Sequence, residues 1–247
     1  RLPISQIIKV IVEDNVPLKQ WLNRVFVLAK DVQNEPLAEW ASKELNGYQA
    51  SDTLPDYRTG TSFDLKYTGI NGRLQVKNQP LSRGWIDKEV ADAISQIKIF
   101  EGIRYVSELA SSPQSPIRDL TDLAGQVEQA SDGGIQCVSI WQEIPHSFFQ
   151  AVCSAVKSKM LIALLELEKK YGNLDNLGID ISDQNTKEIE KSNAELNKMI
   201  LNVNLPQENK EKESLSDKIA WNIIVPIITG VIGAALGALI TSYFGWG

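Results

Sequence analysis

The sequence predicts an α+β protein: a mainly helical cytosolic domain with a small antiparallel β insert, one C-terminal transmembrane helix, and a homo-oligomeric state. Three observations predict it. Apolar residues recur at helical spacing on both sides of the chain's middle. Between them, residues 48–84 carry Pro55, Gly60, Gly69, Gly72, Pro80 and Gly84 around short alternating stretches. Finally, the chain holds 25 basic and 31 acidic residues, and all of them lie at or before Lys218. Residues 219–247 carry no charge. The net charge of −6 therefore belongs to the first 218 residues.

The helices come first. Ile7, Ile8 and Ile11 make a short stripe. Pro17 opens a second helix, because its fixed φ suits a first turn. The stripe of that helix is Leu18, Trp21, Leu22, Val25, Phe26, Leu28 and Ala29. A third helix runs from Glu35-Pro36 through Leu37, Trp40, Ala41, Glu44 and Leu45, and stops at Asn46-Gly47.

The β insert follows. Thr61 to Tyr67 puts Phe63, Leu65 and Tyr67 on one face, and Arg73 to Lys77 alternates likewise with Leu74 and Val76. The two stretches read as strands paired through Gly69–Gly72. Ile86 to Ala110 returns to a helical pattern, and Ile117 to Ala130 is a weaker one. Asp132-Gly133-Gly134 is a turn, Ile135 to Ile144 a strand, and a long helix runs from Pro145 to about Tyr171 with Leu161, Leu164, Leu165 and Leu167 inward. In 184–202, Ile189, Leu196, Met199 and Ile200 fit either a coiled-coil seam or a helix packed on its own domain. Domain 1–172 is thus followed by a helical, charged linker region, 173–218, and by a membrane segment, 219–247.

The uncharged tail measures about 39 Å as a helix, enough for a hydrocarbon core of about 30 Å. Trp221 stands near one end and Tyr243, Phe244 and Trp246 near the other, where aromatic belts sit. Lys210, Lys212 and Lys218 precede the span, which keeps the large domain in the cytosol by the positive-inside rule. One face collects Asn222, Pro226, Thr229, Gly230, Gly233, Gly237 and Thr241, the small and polar residues that allow close helix packing or line a pore. A passive dimerising anchor and a homo-oligomeric channel both fit that face.

Composition excludes several chemistries. The single histidine, His146, rules out HExxH sites, and Cys137 and Cys153 lack zinc spacing. No phosphate-binding glycine loop of the GxxxxGK[ST] or GxGxxG type occurs. Asp56, Asp64 and Lys66 stand in a degenerate PD…DxK order that a metal-dependent nuclease would use. The expectation is nonetheless a non-enzymatic protein without metal or cofactor. A locally basic and aromatic stretch offers a ligand site: Tyr57, Arg58, Arg73, Lys77, Asn78, Arg83 and Trp85 could neutralise phosphates, stack on bases and read base edges.

Several segments together resemble the AbiTii family, a bacterial domain linked to phage defence: NVPLKQWLNRVFVLAK (15–30), LAEWASKELNGY (37–48), LPDYR (54–58), NQPL (78–81), CVSIWQEI (137–144) and LLELEKKYG (164–172). The resemblance implies antiphage defence. With its membrane tail the chain is similar to the effectors of Hailong-type, nucleotidyltransferase-partnered systems. That likeness implies a short single-stranded DNA or nucleotide signal that holds a channel inactive until release causes growth arrest. A tail-anchored adaptor without conductance is the other expectation.

Overall fold

A computed structural model describes residues 17–174, 179, 181, 185–201 and 227–228. The first helix stripe, at 7–11, lies outside them. The chain divides into two compact units, crossing between them at 57/58, 99/100, 108/109 and 149/150.

The first unit is helical. Helix α1 (Leu18–Asp31) buries Trp21, Leu22, Val25, Leu28 and Ala29, most of the expected stripe. Helix α2 (Glu35–Asn46) packs against it. The link is tight because Gln33 takes a positive φ of 54° and Asn34 caps α2, its side chain accepting from the Leu37 amide at 3.1 Å. Gly47 ends α2 at φ 94°, and a Cβ there would sit 2.7 Å from the Phe100 carbonyl oxygen. The same carbonyl accepts from the Tyr48 amide at 2.7 Å.

Two further helices complete this unit. In the long helix, numbered α6 below (His146–Tyr171), Val152, Val156, Met160, Ala163, Leu164 and Leu167 are buried at three- and four-residue spacing. Leu165, expected inward, is 41% exposed, because the buried stripe follows 160, 163/164 and 167 and leaves 165 on the opposite side. This is one helix long and apolar enough to cross a membrane by length and composition. Helix α7 (Thr186–Leu201) buries Ile189, Leu196 and Ile200, while Met199 stays exposed. Asn193 donates to the Val32 carbonyl at 3.0 Å. Of the two readings of this segment, packing on its own unit is the one observed.

The second unit is built on antiparallel strands. Strand β1 (Thr59–Thr61) pairs with β4 (Gln96–Lys98). The larger sheet has β2 (Leu65–Asn71), β3 (Leu74–Pro80), β5 (Ile117–Asp119), β6 (Ile135–Glu143) and β7 (Ile227–Ile228) in the order β3-β2-β6-β5-β7. Helices α3 (Lys88–Ser95), α4 (Ile103–Ala110, shared between units) and α5 (Ala124–Ala130) complete the order. Leu65, Tyr67, Leu81, Ile86, Ile94, Leu120, Val127 and Ile140 form its core.

The β insert is larger than expected, and four local readings change. The first strand stretch splits at residues 62–64, so Phe63 lies between β1 and β2. The hairpin turns at Gly72–Arg73, with Asn71 opposite Leu74 and Gly72 at φ 63°, rather than across Gly69–Gly72. The helical pattern of 86–110 breaks after Ser95. Asp87 caps only a short α3, accepting from the Glu89 amide at 2.9 Å, and Ile97 in β4 and Ile99 just past it are both buried. β-Branched residues satisfy either period, and the unpaired β1 backbone decides between them. Likewise 117–130 becomes β5, a 3-10 turn and α5, because β6 offers Ile117–Asp119 a ladder.

The expected transmembrane helix at 219–247 lies outside the described residues apart from Ile227 and Ile228. There the structure departs from the expectation. The two residues are extended, and Ile117 pairs with Ile228 and Arg118 with Ile227. An edge strand has unspent backbone donors and acceptors, and two adjacent isoleucines with high β propensity meet them. Asn222, Pro226, Thr229, Gly230, Gly233, Gly237 and Thr241 are outside the described residues.

Candidate functional site

The seven residues of the expected ligand patch are divided between the two units. Tyr57 belongs to the helical unit and the other six to the sheet unit. Arg58 is fully buried and donates from Nη1 to the Ile99 carbonyl at 3.1 Å. It is therefore a structural residue, which corrects its expected role as a phosphate ligand. A buried guanidinium satisfies backbone carbonyls that an apolar side chain would leave unpaired.

The remaining five residues follow the β2–β3 hairpin and its exit. Arg73 stands in the turn, and Lys77 and Asn78 lie exposed on the edge strand β3, with Asn78 at φ 54°. Arg83 is committed locally. It pairs with Asp92, contacts Ser95 at 3.4 Å and sits 5.2 Å from the Phe63 ring centroid. Trp85 is half-buried against the sheet core. The exposed members of the patch are Arg73, Lys77, Asn78 and Arg83.

The residues of the nuclease order are likewise divided between the two units. Asp56 belongs to the helical unit, Asp64 and Lys66 to the sheet unit. Lys66 pairs with Glu143 across β2–β6 at 2.8 Å, and this bond raises its pKa. Among the described residues no three His, Cys, Asp or Glu side chains gather as a metal site. His146 opens α6 and its Nε2 lies 3.1 Å from the Gln114 carbonyl oxygen.

A different cluster stands out in the helical unit. Trp40 and Glu44 share a face of α2 at four-residue spacing, and Tyr48, past the helix end at Gly47, turns its hydroxyl back to Glu44. The 3-10 turn Asp56–Arg58 brings Tyr57 to the same face. Glu44 is fully buried. Its Oε1 accepts from the Tyr48 hydroxyl at 2.7 Å and from the Tyr57 hydroxyl at 2.6 Å. The Tyr57 oxygen in turn accepts from the Trp40 indole at 3.0 Å. In this relay the Tyr57 hydroxyl both donates and accepts, the Tyr48 hydroxyl donates, and together they satisfy a carboxylate that burial alone would penalise.

The relay forms the floor of a cleft of about 310 Å³ lined by Trp40, Thr53, Leu54, Pro55, Asp56, Tyr57, Lys159, Ile200 and Leu201. The Lys159 ammonium lies 5.5 Å from the Tyr57 ring centroid and donates to the Ile200 carbonyl in the last turn of α7. Burial lowers its pKa, while the charges of Glu44 and Asp56 pull it back up. Thr53, Lys159, Ile200 and Leu201 are the members that sequence reasoning passed over as site residues. The signal for the rest was present, since Trp40, Glu44, Tyr48, Asp56 and Tyr57 all fall within the two segments 37–48 and 54–58.

Fold and site define an α+β protein of a helical unit and an antiparallel-sheet unit, with an aromatic–carboxylate relay under a cleft. The chain belongs to the AbiTii family: the model named AbiTii matches residues 4–195. That family points to antiphage defence. No curated protein and no solved structure matches the chain.

Proposed function

We propose that the chain is a membrane effector of antiphage defence. In this reading it assembles as a homo-oligomeric ion channel in the bacterial inner membrane, anchored by 219–247, with residues 1–218 in the cytosol. The cytosolic part binds a nucleotide or short single-stranded DNA signal from a partner nucleotidyltransferase. That signal holds the channel inactive, and its loss causes growth arrest. The reading assigns the protein no catalytic step, metal or cofactor.

The observation that carries this reading is the charge partition. All 56 charges precede residue 219, and the uncharged segment begins beyond the family match, which ends at 195. The Ile227–Ile228 pairing suits a chain in water. In a bilayer core a lone strand would leave backbone groups without partners, so the segment inserts as a helix. The small and polar residues Asn222, Pro226, Thr229, Gly230, Gly233, Gly237 and Thr241 then face one another around an axis, with bulky residues toward lipid.

Liposome ion flux with the full chain is the test. Flux that falls on adding short DNA oligomers and vanishes on deleting 219–247 supports the channel. Membrane association without flux would instead make the protein a tail-anchored adaptor, and growth arrest by the truncated chain would sink the membrane reading altogether.

A further inference from the structure

We propose that the cleft over the Trp40–Tyr57–Glu44 relay is a binding site for a small anion carried on a compact aromatic body, and that its occupant clamps helix α7 to the helical unit. The proposal rests on the preceding reading only for its consequence, that α7 leads toward the tail.

The cleft has two walls of different origin. Trp40, Leu54, Pro55 and Tyr57 come from α2 and the segment after it, whereas Ile200 and Leu201 are the final turn of α7. Lys159 of α6 holds that turn, donating to the Ile200 carbonyl. A helix end has carbonyls without intrahelical partners, and a cation there also meets the negative end of the helix dipole. A molecule in the cleft touches both walls only while α7 is docked. It therefore has higher affinity for the docked state and must shift the equilibrium toward it.

The chemistry of the walls selects the occupant. A volume of about 310 Å³ is at the small end of ligand pockets, which run from roughly 300 to 1,000 Å³. An indole and a phenol among apolar side chains suit a ring. The ammonium of Lys159 has three donors, and its one hydrogen bond goes to a neutral carbonyl. The charges of Glu44 and Asp56 act on Lys159, but no carboxylate forms a salt bridge with it among the described residues, so a phosphate or carboxylate in the cleft would be the anion bonded to it directly. A phosphomonoester carries about the same charge as inorganic phosphate, so the preference for a ring-bearing anion comes from the indole, the phenol and the apolar walls, while exposed Asp56 weakens anion binding generally.

The test uses the full chain in detergent with phenyl phosphate, benzoate, dAMP and inorganic phosphate as probes. Calorimetry reads binding, and hydrogen exchange reads the amides of 193–201. At least one ring-bearing anion should bind more tightly than inorganic phosphate and slow exchange at the end of α7. Lys159→Met should weaken that binding by roughly tenfold to a hundredfold, the usual cost of losing a hydrogen bond to a charged group. Leu54→Trp, which fills the cleft and leaves Lys159 in place, should abolish binding but keep α7 protected.

Failure of every ring-bearing probe to bind overturns the proposal. So does binding unaffected by both substitutions, or binding that leaves exchange at 193–201 unchanged. None of these outcomes touches liposome flux, so this proposal and the channel reading fail separately.

Discussion

Tyr48 and Tyr57 donate to the same oxygen of Glu44, at 2.7 and 2.6 Å, although they are nine residues apart and neither lies in the α-helix that carries Glu44. One buried carboxylate thereby ties the end of α2 to the segment that leads out of the helical unit. Two charge-assisted bonds at short range stabilise it, and removing either side leaves a buried polar group without its partner.

Glu44→Leu should accordingly destabilise the chain by about 3 kcal/mol, because two phenols lose their acceptor. Tyr57→Phe should cost about 1–2 kcal/mol, because Trp40 loses its acceptor as well. Urea unfolding monitored by tryptophan fluorescence measures both. A Glu44→Leu variant as stable as the parent would show that the relay contributes nothing net.

Arg58 and Arg73 should separate stability from binding. Arg58→Ala removes a fully buried side chain and frees the Ile99 carbonyl, so its expected effect is a stability loss of about 2–4 kcal/mol. Arg73→Glu with Lys77→Glu lies on exposed hairpin positions and should leave stability within about 0.5 kcal/mol. If the hairpin contacts an oligonucleotide, that pair should weaken binding and flatten its salt dependence. Fluorescence anisotropy at two salt concentrations checks it, and unchanged affinity would remove Arg73 and Lys77 from the interface.

Gly69 should tolerate no side chain. The register shifts beside it in both ladders, and a Cβ would collide with the Gln136 carbonyl oxygen, which is backbone of the neighbouring strand. Gly69→Ala should therefore cost about 2 kcal/mol or more, whereas Gly72→Asn, in an open turn at φ 63°, should cost under about 1 kcal/mol. Thermal unfolding of the two variants compares them directly.

Cys137 supplies a pH dependence. Burial, assisted by the charge of Glu128, pushes its thiol up to about 11 from an unfolded value of 9.0. The folded state disfavours the thiolate, so the contribution is fully present below about pH 9 and is lost as pH rises from there to about 11. Cys137→Ala should remove this part of the alkaline stability loss. At pH 8 the native thiol should react with iodoacetamide more slowly than in the urea-unfolded chain. Equal rates would contradict the assignment.

Some of this was determined by the sequence alone. The stripe of α1, the stop at Gly47, the turn at Asp132–Gly134, the strand β6 and the extent of α6 follow from local period and backbone chemistry, which neighbours in sequence decide. The family follows from ordered segments, and the charge partition is a property of the chain itself. Other features were settled only by partners distant in sequence. Ile97 and Ile99 fit a helix or a strand equally until β1 offers its edge. Arg58 reads as a surface cation until burial against Ile99 makes it structural. Glu44, Tyr57, Lys159 and Ile200 acquire a common site only when α2, α6 and α7 pack, since hydrogen bonds between residues up to 41 apart depend on tertiary geometry that no local pattern encodes.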